Sequence, residues 1–479
     1  MRKYLLVLLL CSSAAMAQDV NTDFQAFRKD MLGSYGKFRK RVLDNYANYL
    51  NGIWTEFQVF RGIKKNEVPK PVMIPKVGKN SNEPTPQSLP QPETEPVVNP
   101  NEDKSLNRPI HSLPPSIPTI TFGFYGMKLN VAMINPYRLN TIEHQEISKM
   151  WRLYQQDGKT NAALQNLNQL ANDYQLNDWF TYELVSTYVS QLLKGTSVST
   201  QILLEHYFLA NMGYDVRLAS TNSRLFLLIP FKQQVYDQSY LIIDDQKYYI
   251  FGENNKKIQN SVSLYTCELP KEVEKGQRLN LILNRGLGIV SNTLHHYQLT
   301  DGNIQLQGSI NVGTMEALRH YPQMDVVYYA MSVINPAFRQ ELIAQLKPQI
   351  AGISQCKAAN KLLHFVQYAF EYATDQEQFG YEKPYFIEEN FYYPKNDCED
   401  RSILYAFLVH ELLGLDVQLV QYPGHECTAV HFTDNSIFGD YYTYQGKKYF
   451  ICDPTYIGAP IGLCMPNFKS CKPKVEIWK

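Results

Sequence analysis

The 479-residue chain has no excess of either charge: 46 Lys and Arg stand against 46 Asp and Glu. That balance removes the electrostatic footprint of a general nucleic-acid or anionic-membrane surface. The sequence also has no C-x-x-C pair, and His295-His296 has no other ligand residue close by. The spacing of a zinc site is therefore missing, and the two histidines read as part of a surface strand or turn. Beyond the first dozen residues no apolar run reaches the length of a membrane helix. Neither a metal nor an organic cofactor is expected.

What is present begins with 34 tyrosines, which supply both core area and surface stacking. Arg2 and Lys3 precede the apolar run Tyr4 to Leu10, and Ala15-Met16-Ala17 has the small-x-small form of a cleavage site. Residues 1–17 thus read as a secretory signal, cut before Gln18. Cys11 invites a lipoprotein reading, but Leu10 before it is bulkier than such processing accepts. The expectation is a periplasmic or secreted protein. Loss of Cys11 leaves seven of the eight cysteines. An odd number in an oxidising compartment implies at least one free thiol, and Cys398 is the best placed. Cys427, Cys452, Cys464 and Cys471 lie close enough in sequence to allow disulfides of undetermined pairing.

Residues 18–62 form the next segment. Phe24, Tyr35, Tyr46 and Phe57 recur every eleven residues, as do Phe27, Phe38, Tyr49 and Phe60, and again Met31, Val42 and Ile53. Eleven residues make three turns at about 3.67 per turn, which keeps one apolar stripe straight along a helix. Such a helix either packs on its own domain or binds a protein partner or itself, and the linker that follows favours the second for 24–60. Gly33, Gly36 and Gly52 weaken the helix by about 1 kcal/mol each relative to Ala, which calls for a partner to hold it. The linker 63–118 carries half of the 26 prolines and is expected to be an extended, disordered tether. Order returns near Thr119 with a strand at 120–125, followed by helices around 142–156, 160–173 and 178–194.

Two later stretches repeat one another. Gly213-Tyr214-Asp215-Val216-Arg217-Leu218 matches Gly414-Leu415-Asp416-Val417-Gln418-Leu419, and Lys247-Tyr248-Tyr249-Ile250 matches Lys448-Tyr449-Phe450-Ile451, both at an offset of 201. The fold class is therefore expected to be α+β with one unit present twice, at 119–265 and 346–479, joined by an α/β region at 266–345. Carried through the offset, Cys398, His425 and Asp453 fall on Ser197, Arg224 and Gly252, so the first copy is expected to have lost its chemistry.

Those three residues carry the most specific signal. In Asn396-Asp397-Cys398-Glu399-Asp400-Arg401, Asp397 is a good N-cap and Asp400 lies three residues on, close to a capping box. The apolar run 403–413 continues the helix and Gly414 stops it. Cys398 then sits in the first turn, where free N–H groups and the macrodipole favour a thiolate. Glu399, Asp397 and Asp400 oppose the thiolate, so a basic neighbour is required. Val417 to Gln421 reads as a strand, and His425 opens the next one after a turn. His431 falls on the same face by the period of two, about 20 Å away at strand rise, so only one histidine can meet Cys398. His425 is preferred, with His431 as the alternative. Asp453, after the strand 448–452, would orient the imidazole.

The words D-C-E-D-R, Y-P-G-H and C-D-P-T-Y-I-G-A-P resemble the transglutaminase-like superfamily of papain-type folds, in exported bacterial form. The resemblance covers about residues 385–465. It implies a helix bearing Cys398 on an antiparallel sheet bearing His425 and Asp453, and acyl chemistry on a peptide or amide through a thioester. Hydrolysis is expected over transfer to an amine. The family's upstream oxyanion-hole side chain has no clear counterpart, although Tyr392 and Tyr393 lie near, and the Cys398 N–H would supply one donor. The other reading is a non-catalytic scaffold of two such folds that binds partners.

Overall fold

The computed structural model describes residues 44–64, 74–78, 87–94, 117–252, 263–267, 276–434 and 437–477. The expected signal at 1–17 and the repeat positions before residue 44 lie outside these residues. After a helical stretch at 44–50 come strands β1 (Thr55–Gln58), β2 (Glu93–Thr94) and the hairpin β3 (Thr119–Phe124) and β4 (Met127–Ala132). Helices α1 (His144–Gln156), α2 (Gly158–Asp173), α3 (Asp178–Leu192) and α4 (Val198–Asn211) follow. Side chains of Asp157, Asn177 and Ser197 cap the last three of them, satisfying N–H groups that have no partner within a helix.

Strands β5 (Arg217–Ser220), β6 (Leu225–Ile229), β7 (Tyr240–Ile243), β8 (Gln246–Phe251) and β9 (Ser263–Thr266) join β1 in a six-stranded sheet of order β1-β9-β5-β6-β8-β7. The hairpin β10 (Leu294–Thr300) and β11 (Gln305–Asn311), which contains His295 and His296, then leads into α5 (Val312–Leu318), α6 (Val326–Met331), α7 (Pro336–Gln349) and α8 (Gln355–Tyr368). Short β12 (Glu371–Tyr372), α9 (Asp375–Gln378) and β13 (Lys395–Asn396) precede the long α10 (Cys398–Leu413). Gly414, at φ +64°, ends α10 in the left-handed region that glycine tolerates. The second six-stranded sheet comprises β2 with β14 (Asp416–Tyr422), β15 (His425–His431), β16 (Tyr441–Tyr444), β17 (Lys447–Cys452) and β18 (Lys474–Ile477).

The second sheet runs β2-β18-β14-β15-β17-β16, which is the order of the first under the substitution of each strand by its later counterpart. The registers agree as well. Arg217 pairs with Leu228, and Gln418 with Ala429. Leu227 pairs with Phe251, and Thr428 with Cys452. Tyr240 pairs with Tyr249, and Tyr441 with Phe450. Every member of the second pair in each case lies 201 residues after its counterpart in the first. The outermost pairing departs from this: β1 runs antiparallel to β9, whereas β2 runs parallel to β18.

Each face of the second sheet meets its own apolar layer, as alternation along a strand requires. Val417, Leu419, Val430 and Phe450 join the large cluster that includes Ile403, Leu404 and Phe407 of α10. Val420, Tyr422, Cys427, Ala429 and Ile451 form the other layer with Leu89 and Val475. Residues 398–409 of α10 are all buried, the mark of a central helix. The large cluster is continuous from Ala47 to Cys452 and draws on both halves of the chain.

Two expectations about the front of the chain need correction. The helix does not extend to residue 60: it stops near Gly52, Ile53 is 87 % exposed, and Thr55–Gln58 pairs with β9. Tyr46 and Tyr49 are spent within the molecule. Tyr46 stacks on Trp151, its hydroxyl meeting His206 Nε2 at 2.9 Å, and Tyr49 donates to the Cys267 carbonyl at 3.1 Å. These residues are core contacts, not a free stripe for a partner.

The linker 63–118 is likewise not a bare tether where it is described. Val77 N–H donates to the Ile457 carbonyl (3.1 Å), Leu89 N–H to Tyr441 (2.7 Å) and Glu93 N–H to Pro473 (2.9 Å). Leu89 is buried. Proline removes its own N–H but is compatible with an edge strand, so a proline-rich stretch can still pair through the residues between its prolines. Among the described residues no helix is long and apolar enough to cross a membrane.

Candidate functional site

Cys398 opens α10, and the N-cap Asp397 has extended backbone. The Asp397 N–H donates to Asp400 Oδ2 at 3.2 Å, and the Tyr385 N–H donates to Asp400 Oδ1 at 2.8 Å. Asp400 therefore holds both the residue before the cysteine and the incoming loop. Behind them Arg401 is fully buried; its Nε donates to Asn396 Oδ1 (2.8 Å) and its Nη2 to the Phe370 carbonyl (2.9 Å). Burial lowers the Arg401 guanidinium to about 10, opposed by Tyr372 and the carboxylates of Asp397 and Asp400. Its charge persists at neutral pH and offsets those acids, a basic contribution that sequence reasoning did not assign.

His425 opens β15 directly after Gly424, whose φ of +68° makes the tight turn. Asp453 follows β17. Its Oδ1 accepts from the N–H groups of Thr455 (2.9 Å) and Tyr456 (3.1 Å), while Oδ2 meets His425 Nε2 at 2.9 Å. The D-P-T turn thus orients the carboxylate before the imidazole is considered. Burial opposes charge on His425, but the charge and hydrogen bond of Asp453, with a further contribution from Cys398, raise it from 6.5 to about 10. The ring is an imidazolium at neutral pH. With Nε2 committed to Asp453, the buried Nδ1, which has no other partner, is the atom left for the Cys398 sulfur.

The same thiol lies 3.2 Å from Glu399 Oε2. It has one proton, so two arrangements compete: S–H donating to Glu399, or a thiolate accepting from the imidazolium. Cys398 is 1 % exposed, so a substrate reaches the sulfur only after some covering group moves. Phe468 covers the histidine, its ring parallel to His425 (3°, centroids 5.2 Å apart) and to Tyr422 (12°, 4.8 Å).

The loop carrying Asp453 is pinned from α8. Gln367 Nε2 donates at 3.0 Å to each of the carbonyls of Asp453, Tyr456 and Ala459, and its Oε1 accepts from Gly458 N–H at 3.2 Å. Neither Gln367 nor Phe468 carried a signal in the sequence. The motif Asp-Cys-Glu-Asp-Arg did contain Arg401, whose position beside the cysteine could have been used.

The structure brings Cys398, His425 and Asp453 together and leaves His431 apart. His431 ends β15, with Nδ1 donating to the Lys448 carbonyl at 3.0 Å. Tyr392 packs edge-on against His295, and Tyr393 edge-on against Phe379 and tilted against Tyr385. In the first half, Ser197 accepts from Thr200 N–H as the cap of α4, Arg224 is exposed, and Gly252 follows β8.

Ligand atoms of His425, Cys427 and Asp453 lie within 4.8 Å of one another. Metal binding needs neutral imidazole and thiolate, whereas Asp453 holds His425 protonated and burial raises the Cys427 thiol. An ion there would have to displace both protons. All seven described cysteines are free thiols, which corrects the expectation of late disulfides. Cys452, Cys464 and Cys471 each turn their sulfur to a backbone carbonyl, of Phe450, Met465 and Asn467.

No family model, no curated protein and no solved structure matches this chain.

Proposed function

We propose that Cys398, His425 and Asp453 form the thiol, base and orienting acid of an exported enzyme that cleaves peptide or amide bonds, on a papain-type, transglutaminase-like unit. The observation that carries this is the bridging imidazole: Nε2 on the Asp453 carboxylate, Nδ1 left for the sulfur of a cysteine at a helix start. The common strand order and the shared 201-residue register offset support reading the first half as a copy of that unit without its chemistry.

In this reading the imidazolium holds the proton of the resting pair and the Cys398 thiolate attacks the amide carbonyl carbon. The amide oxygen takes up charge, and the Cys398 N–H is one donor placed to receive it. As the intermediate collapses, the C–N bond breaks and the imidazolium passes its proton to the leaving amine, giving a thioester. Water then attacks the thioester, the imidazole taking its proton, and the acid and the thiol pair are restored. An amine in place of water would give transfer; hydrolysis is the main path proposed.

Iodoacetamide tests the pair directly. Cys398 should alkylate faster than the other thiols, and His425→Ala should slow it at least tenfold. Equal rates in both proteins would reject the triad. A peptide library followed by mass spectrometry, with and without a labelled primary amine, then separates cleavage from label transfer.

The burial of Cys398 and its contact with Glu399 favour a second reading, a partner-binding scaffold in which the thiol is inert. A partner that binds equally to wild type and Cys398→Ser, with no turnover by either, would favour that reading.

A further inference from the structure

Between α3 and α4 lies a cavity of about 390 Å³, closed at one end by Tyr125 of the β3–β4 turn and by Phe251 and Gly252 at the end of β8. Trp179, Tyr182, Glu183, Ser186 and Ser190 line it from one side of α3, at spacings of three and four, and Val198, Gln201, Ile202 and Glu205 from one side of α4. The lining includes Val198 and Gly252, the counterparts at the 201 offset of Glu399 and Asp453. The cavity therefore occupies, in the first sheet unit, the place that the thiol site occupies in the second.

Its chemistry is different. Glu183 and Glu205 are largely withdrawn from water, and each gives one oxygen to a neutral hydroxyl. Tyr125 donates to Glu183 Oε2 at 2.5 Å, and Ser186 donates to Glu205 Oε1 at 2.8 Å. A hydroxyl satisfies hydrogen bonding but leaves the carboxylate charge without a counter-ion. Among the described residues that line the cavity there is no Lys, Arg or His. Aromatic rings stand beside the acids, Trp179 5.2 Å from Tyr182 and 5.9 Å from Phe251, and ring faces attract cations. A metal ion fits poorly: neither glutamate belongs to any group of three close ligand atoms among the described residues. The volume is near the lower end of the range for small ligands, about 300–1,000 Å³, enough for one side chain and too small for a folded segment.

We propose that this cavity binds the ammonium or guanidinium head of a lysine or arginine side chain presented on a peptide, with the apolar stem against Trp179, Ile202 and Phe251. The inference does not depend on the thiol chemistry of the second unit. Burial raises Glu183 and Glu205 to about 7 each, moderated by their hydroxyl donors. The other titratable groups facing them are Tyr125, Tyr182 and Tyr321, all raised chiefly by burial and neutral at these pH values. A bound cation favours the ionised acids, so binding releases protons and strengthens as pH rises from 6 to 8.

Calorimetry on the full chain tests this with Nα-acetyl-L-lysine amide and Nα-acetyl-L-arginine amide, against Nα-acetyl-L-norleucine amide and calcium chloride. One or both cationic probes should bind at least tenfold more tightly than norleucine, with proton release. Glu205→Gln and Glu183→Gln should each weaken binding at least tenfold. Ser190→Trp, at an exposed position on the cavity rim, should block entry without depending on a buried substitution. Equal binding of norleucine, absence of saturable binding by both cations, tighter binding of calcium, or unaltered binding in Ser190→Trp would each overturn the proposal.

Discussion

The side-chain amide of Gln367 and the main-chain carbonyl of Asp453 are joined at 3.0 Å, and this is one of three carbonyls in one loop that share the two N–H groups of a single nitrogen. The nitrogen acts on the loop and not on the carboxylate, so Gln367 is a positioning residue. Gln367→Leu leaves buried carbonyls without a donor, at a cost of about 3 kcal/mol. The denaturant midpoint should fall accordingly. Cys398 alkylation should also lose its dependence on His425, which a purely structural loss would not produce.

Glu399 competes with His425 for the Cys398 thiol. Glu399→Gln removes the carboxylate that accepts from the thiol and should raise the iodoacetamide rate at pH 7 about threefold to tenfold. An unchanged or lower rate would show that Glu399 does not hold the thiol in its protonated form.

The imidazole also gives a stability signature. His425 is raised from 6.5 to about 10 on folding, so its contribution is fully present below pH 6.5 and is lost as pH rises towards 10. Urea midpoints of the wild type, taken relative to Asp453→Asn, should fall across that window. The variant lacks the carboxylate that raises the histidine, so the difference between the two should shrink at high pH. A pH-independent difference would mean that His425 is neutral in the folded protein.

Leu89, in the proline-rich segment, is 3 % exposed among Val420, Tyr422 and Val475. Leu89→Ala should destabilise the protein by about 2–4 kcal/mol, measured by chemical denaturation. A change below about 0.5 kcal/mol, as for surface positions, would mean that this segment does not dock in solution.

The elements with strong periodicity were legible in the sequence. Helices expected at 142–156, 160–173 and 178–194 occur at His144–Gln156, Gly158–Asp173 and Asp178–Leu192, because caps and apolar spacing are local signals. The mixture of helices and antiparallel sheets agrees with the expected α+β class. Cys398, His425 and Asp453 could be singled out because each sits at an element's end, marked by a turn or cap residue. Gln367 and Phe468 could not, since their contacts to this site span dozens of positions and no spacing rule connects them. The proline-rich segment was misread for another reason: composition reports what a stretch can bury by itself, and an edge strand borrows its partner from elsewhere. The eleven-residue pattern failed at Ile53, where the helix has ended at Asn51-Gly52 although the apolar spacing continues.

The apolar cluster running from Ala47 to Cys452 bears on how this chain can be cut, inherited or lost. A fragment beginning near residue 346 would carry Cys398, His425 and Asp453 but would uncover the face of α10 that α6 and its neighbours now shield. The connecting region 266–345 thus serves as lining for the second unit, whatever the cavity of the first unit holds. A deletion that removed it would expose that face of α10, and melting should proceed as one transition rather than two.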